Sequence, residues 1–272
     1  MNTYTYLQRN SDAKAKNTHK YYLEFCEQRV KKGDIPTKDW LVIKDIVLDK
    51  KVIKAVNNNK NVIVKIGDES TIKKDYWLSK YLFNNSNPGF IRYICQFKCH
   101  DDVNKYKMEP DSADDESFCS GDNKLPMVYS LVMPCIPLGS IKNYKWTKRN
   151  INTLKSLLSK AIQYYIMAAK NTGFIHNDFH ADNIMMLSLS DVCIIDLELS
   201  ELYRYTDKKN PLEKLLAKDM RKLFSSLDDI KLNINTAHII LKLNEIMDTF
   251  NDTNLDTLYE IIPLINRIEI IN

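Results

Sequence analysis

Near residue 135 the hydrophobic periodicity of this 272-residue chain changes, and few architectures accommodate such a change. Before it, apolar residues come in short runs: Trp40–Val47, Val52–Val56, Asn61–Ile66, Phe90–Phe97 and Val128–Met133. Runs of this length, rich in Val and Ile and bounded by turn formers such as Asn57-Asn58-Asn59, predict strands. One stretch differs: Ile72, Trp77, Leu78, Tyr81 and Leu82 recur at helical spacing and stop at Asn84-Asn85-Ser86-Asn87-Pro88-Gly89. Beyond residue 135, Leu154, Leu157, Leu158, Ala161, Ile162, Tyr165, Ile166 and Ala169 trace one face of a long helix ended by Thr172-Gly173. Two short strands follow (Ile184–Leu187 and Val192–Ile195), then mostly helix. The expected class is α+β: a five-stranded antiparallel sheet with one helix, then a mainly helical half.

Three segments divide on this basis. Residues 1–38 are polar and basic, with a helical stretch at Tyr21–Val30 ended by Gly33 and Pro36, and read as an N-terminal extension. Residues 39–134 carry the sheet and 135–272 the helices. Residues 101–124, containing Glu109-Pro110-Asp111-Ser112-Ala113-Asp114-Asp115-Glu116, can bury little and read as a mobile acidic loop.

Hydrophobic residues make up 44% of the chain and charged residues 27%, which excludes a disordered protein. No apolar run has the ~20 residues of a membrane span, and the polar start lacks the apolar core of a secretory signal. The net charge of +4 is spread out, so no nucleic-acid partner is expected. Six scattered cysteines without a CxxC pair read as reduced thiols in a cytoplasmic setting. Cys95, Cys99 and His100 have one half of a zinc spacing, but no second pair follows. Few glycines with much Lys, Asn and Ile is a bias of AT-rich genomes, such as those of many protists and large DNA viruses; for a viral chain, host cytoplasm or virion is the expected setting.

The chemistry concentrates in Gly173-Phe-Ile-His-Asn-Asp-Phe-His-Ala-Asp-Asn183 and Val192-Cys-Ile-Ile-Asp196. A His-x-Asp follows the long helix, an Asn lies five residues past that Asp, and a second Asp ends an apolar strand. These segments resemble the catalytic loop (H-R-D-x-x-x-x-N) and metal motif (D-F-G) of the protein-kinase-like superfamily. The resemblance implies a bilobal fold, ATP and Mg²⁺ (or Mn²⁺) as cofactors, and a protein substrate. It gives His176 the opening position of the loop and Asp178 the role of catalytic base. Asn183 and Asp196 become the metal ligands, and His180 occupies the place of the lysine common in Ser/Thr kinases. Lys65 in Val62-Ile-Val-Lys-Ile66 matches the phosphate-binding lysine, and Val52 falls at the nucleotide in the preceding strand. Leu131-Val-Met-Pro-Cys-Ile-Pro-Leu-Gly-Ser140 resembles the hinge that binds adenine, implicating Met133, Pro134 and Ile136. Asp219 in Lys218-Asp-Met-Arg-Lys-Leu-Phe224 matches the acid that braces the catalytic loop.

Several departures bear on activity and acceptor. No glycine lies in Val47-Leu-Asp-Lys-Lys51, where a glycine-rich phosphate loop belongs, so Lys50 and Lys51 are the charges available there. The glutamate that pairs with the lysine is missing; Asp75 stands in its place, with Glu69 second. Asn177 and Glu198 replace an arginine and a glycine, and the segment from Asp196 to Asp219 is short. An atypical Ser/Thr protein kinase is the leading expectation. A small-molecule kinase of the aminoglycoside or choline type and a pseudokinase acting as a binding scaffold are the alternatives.

Overall fold

Along Val62-Ile63-Val64-Lys65-Ile66, buried and half-buried side chains alternate, as in a strand with both faces in use. The computed structural model describes residues 42–46, 52–57, 60–102, 124–136, 138–203, 211–227, 230, 234–249 and 255–270. The extension over 1–38, the turn with Lys50 and Lys51, and nearly all of the acidic insert lie outside them. The fold is α+β, with an antiparallel sheet and, among the described residues, five α-helices. No helix of the described residues is long and apolar enough to cross a membrane.

Contacts group the chain into two units. The first holds the described residues from 42 to 80 and from 92 to 135. Its five strands are β1 (Val42–Ile46), β2 (Val52–Asn57), β3 (Lys60–Gly67), β4 (Cys95–His100) and β5 (Met127–Pro134). They pair antiparallel in the order β1-β2-β3-β5-β4. One face of the sheet collects Ile53, Ala55, Val62, Val64, Ile66, Cys95, Phe97, Val128 and Val132 into an apolar core. Helix α1 (Glu69–Asn84) belongs to this unit through Lys80 and buries Ile72 and Leu78.

The fourth strand starts later than its apolar run suggests. Phe90 and Ile91 join the second unit, where Ile91 N–H donates to the Ile194 carbonyl at 2.8 Å and Ile194 N–H to the Gly89 carbonyl at 2.6 Å. Gly89 is required for that approach: its φ is +89°, and a Cβ there would lie 2.1 Å from the Tyr164 ring. A second correction concerns the cysteines. Cys99 is disulfide-bonded rather than reduced, whereas Cys95, Cys135 and Cys193 keep their thiols. Sequence separation does not limit which sulfurs meet in space. The disulfide also removes Cys99 from any zinc set.

The second unit holds 81–91 and the described residues from 136 onward. Helix α2 (Ile151–Thr172) forms its centre, with Leu154, Leu157, Leu158, Ala161, Ile162, Tyr165 and Ile166 buried. It ends at Gly173, whose φ of +71° lets its N–H close on the Ala169 carbonyl at 2.7 Å. Strand β6 (Phe174–Ile175) pairs with β9 (Glu201–Leu202), and β7 (Ile184–Ser188) with β8 (Asp191–Ile194). Helices α3 (Leu212–Ser226), α4 (Ala237–Thr249) and α5 (Ile261–Ile265) complete the layer, with β10 (Ile234–Asn235) paired to β11 (Glu269–Ile270).

Candidate active site

The loop between β6 and β7 is built inward from its ends. His176 is fully buried, and its Nε2–H donates to the Ile195 carbonyl at 2.9 Å. Burial holds its ring below the usual histidine range, against the pull of that carbonyl and of Asp219, Asp196 and Asp178. The neutral ring therefore carries its proton on Nε2, and Nδ1 is buried without a partner. Ile195 N–H in turn donates to the Asn183 carbonyl at 2.9 Å. The backbone immediately before Asp196 is thus tied to both ends of the loop.

Asp219 on α3 braces the same loop. Its Oδ2 accepts the Asn177 N–H at 2.8 Å and the Tyr165 hydroxyl, while the Tyr165 oxygen accepts the His176 N–H at 2.9 Å. Burial raises the Asp219 carboxyl above the ordinary range, in spite of those donors. Two further pins hold the loop: Ser200 Oγ donates to the His176 carbonyl at 3.1 Å, and Ala181 N–H to Ser226 Oγ at 2.9 Å. Phe179 is buried under the loop against Tyr165, with ring centroids 4.7 Å apart. The loop is therefore a packed structure and not a polar surface turn. Asn177 and Asp196 are two of three non-glycine described residues at positive φ, both at 61°, and such backbone strain persists only where the surroundings impose it.

Asp178 is presented half-buried by this frame. Its Oδ1 pairs with the Lys222 ammonium from α3, and its Oδ2 lies 3.3 Å from Asn183 Nδ2 and 3.3 Å from His180 Nε2. Burial opposes its ionisation, but Lys222, with His180 and His176, more than offsets this, so the carboxyl titrates below the ordinary range. At neutral pH it is an ionised acceptor. Nδ1 of His180 accepts the Asp182 N–H at 3.3 Å, and its Nε2 also lies 3.1 Å from Asn183 Nδ2. Asn183 spends its amide hydrogens on the Asp178 carbonyl at 2.9 Å and on the Asp178 carboxylate. Its own side-chain oxygen accepts from no described residue, a hard acceptor suited to Mg²⁺. Among the described residues no three His, Cys, Asp or Glu gather as a metal site. Asn183 and Asp196 would be a two-residue set that needs phosphate oxygens to complete it.

In the first unit, Lys65 lies on β3 between β2 and β5, so it is not an edge lysine facing water. Its Nζ is 3.2 Å from Asp75 Oδ2 on α1, the lysine being 13% exposed and the aspartate fully buried. The Tyr93 hydroxyl donates to the other oxygen of Asp75 at 3.0 Å. Glu69 pairs instead with Lys73, one turn on in α1, so of the two acids considered for Lys65 it is Asp75 that meets it. Val52 stands opposite Lys65 in the β2–β3 register. Met133 and Pro134 end β5 half-buried, and in the second unit Ile136 is buried with its carbonyl accepting the Gly139 N–H at 3.2 Å.

Tyr165, Tyr93, Ser200, Ser226 and Lys222 did not stand out in the sequence. Tyr165 is one more residue on the apolar face of α2, and only its buried hydroxyl distinguishes it. No protein-family model matches this chain, and none of the curated proteins matches it.

Proposed function

We propose that this chain is an ATP-dependent phosphotransferase of the protein-kinase type, with Ser or Thr hydroxyls of proteins as acceptors. The observation that carries the reading is the coupling of three chemical groups in one frame. Asp178, ionised and half-exposed, accepts from the side chain of Asn183, and the carbonyl of Asn183 holds the backbone that leads into Asp196. Further support comes from the buried His176 and Asp219, whose placement matches the loop-bracing roles in that family, and from the Lys65–Asp75 pair.

In this reading the acceptor oxygen bonds to the γ-phosphorus as the β–γ bridging bond breaks, giving the phosphoester and ADP. Asp178 takes the hydroxyl proton at its carboxylate, and His180 and Lys222 fix the orientation of that carboxylate. Asn183 and Asp196 would hold Mg²⁺ or Mn²⁺, which supplies positive charge to the phosphates when bound. Lys65, held by Asp75, is assigned to the phosphates, and Val52, Met133, Pro134 and Ile136 to the adenine. A bilobal arrangement, with hinge residues joining a sheet lobe to a helical lobe, belongs to the same reading.

The test is incubation of the full chain with γ-labelled ATP and Mg²⁺ or Mn²⁺, with and without generic protein substrates. Label should enter phosphoserine or phosphothreonine and be lost in Asp178→Asn. Nucleotide binding without transfer under every condition would refute the reading in favour of a binding module.

A further inference from the structure

The two acids of α3, Glu213 and Asp219, are both buried, 2% and 5% exposed, on the side that carries Leu212, Leu216, Met220 and Leu223. Its cations take the opposite side: Lys214 is half-buried, and Lys218, Arg221 and Lys222 are exposed. The spacing of these four is that of one helix face. Lys214, Lys218 and Arg221 make no ion pair with a described residue, whereas Lys222 reaches the Asp178 carboxylate. The exposed charges of α3 are therefore all positive, and they end at the group assigned as base. A solvated helix face ordinarily interleaves both signs of charge; here the sorting of acids inward and bases outward is complete.

We propose that this face docks an acidic segment of the protein substrate, delivering a Ser or Thr beside acidic residues to Asp178. The proposal rests on the phosphotransferase reading and names its substrate class. From Lys214 to Lys222 the helix rises about 12 Å, which an extended peptide covers with about four residues. That matches a short acidic run flanking an acceptor. It is a small footprint for a nucleic acid, and the chain as a whole carries only +4. The chain itself contains a sequence of this composition, Glu109 to Ser117, with Ser112 and Ser117 among acids.

The test uses the full chain and short peptides with a central serine, flanked by aspartates, by asparagines or by lysines. Binding is read by fluorescence anisotropy with alanine in place of the serine, and transfer by labelled ATP. The variant Lys214→Glu/Lys218→Glu/Arg221→Glu leaves the Lys222–Asp178 pair intact. The aspartate peptide should bind wild type on the order of tenfold more tightly than the asparagine peptide, and the variant should lose that margin with its thermal melt unchanged. In transfer assays the loss should fall on KM, with kcat at saturating peptide preserved. Equal binding of the aspartate and asparagine peptides, or an unchanged variant, would overturn the docking. So would tighter binding of a short oligothymidylate that the variant abolishes, which would make the face a nucleic-acid surface. Transfer to all three peptides alike would leave the phosphotransferase reading standing without the docking. Selective aspartate-peptide binding with no transfer would do the reverse.

Discussion

Replacing Tyr165 by Phe removes a single oxygen from the centre of the loop-bracing network. The ring remains, together with its contacts to Phe174 and Phe179 at 6.0 and 4.7 Å between centroids. Two hydrogen bonds are lost. The His176 N–H, buried with its residue, has no other acceptor among the described residues, and an unsatisfied buried donor costs about 1–3 kcal/mol. Asp219 loses one of its two donors, a charge-assisted bond of about 1.5–3 kcal/mol. Relief from desolvating the hydroxyl returns part of this, so the net loss should be about 3 kcal/mol. At about 3 °C per kcal/mol for a chain of this size, Tm should fall by about 9 °C. Tyr164→Phe is the control. Its hydroxyl donates to Asp191, but that carboxylate also pairs with Lys160 at 3.1 Å, so the loss should stay below about 1 kcal/mol. The assay is thermal unfolding by circular dichroism, completed by a cycle with Asp219→Asn. A Tyr165→Phe loss no greater than that of Tyr164→Phe, or strict additivity in the cycle, would refute the bridging role.

Asp196→Ala should abolish Mg²⁺-dependent nucleotide binding while Asp178→Ala leaves it nearly intact, as measured by calorimetry; equal affinities in the two variants would sink these assignments. Lys65→Met and Asp75→Asn should each cost about 2 kcal/mol, because each removes the opposite charge from a partner with little access to water, and the double variant should cost less than their sum by at least about 1 kcal/mol. Because the folded His176 has a pKa below its ordinary value of 6.5, the unfolded chain binds more protons across that interval. Stability should thus fall as pH drops from neutral through the ordinary histidine range, and a Tm profile in His176→Phe should be flatter there.

Much of the fold was legible because periodicity reports which face of an element is buried. The runs at Val52–Val56, Asn61–Ile66 and Val128–Met133 became β2, β3 and β5 within a residue or so, and the face marked from Leu154 to Ala169 became the buried side of α2. Gly173 announced the end of that helix because only a residue without Cβ takes its backbone conformation at no cost. His176, Asp178, Asn183 and the backbone before Asp196, singled out by their spacing, are tied together by hydrogen bonds, since short-range geometry is set by a few bonds. The run at Phe90–Phe97 misled, because Phe90 and Ile91 are as apolar as strand residues but pair with Ile194 rather than with the sheet. Periodicity cannot say which neighbour an apolar residue will meet.

The polar partners were decided by tertiary structure alone. Asp75 ranked ahead of Glu69 as a sequence candidate only by its place in the resemblance, and it is the folded helix that turns Asp75 toward Lys65 and Glu69 toward Lys73. Tyr165 meets Asp219 across 54 residues of chain, and Lys222 meets Asp178 across 44. Nothing local in either pair encodes the encounter. Sequence determines which groups can ionise and which faces must leave water, but the position of one buried oxygen against another follows only from packing the whole chain.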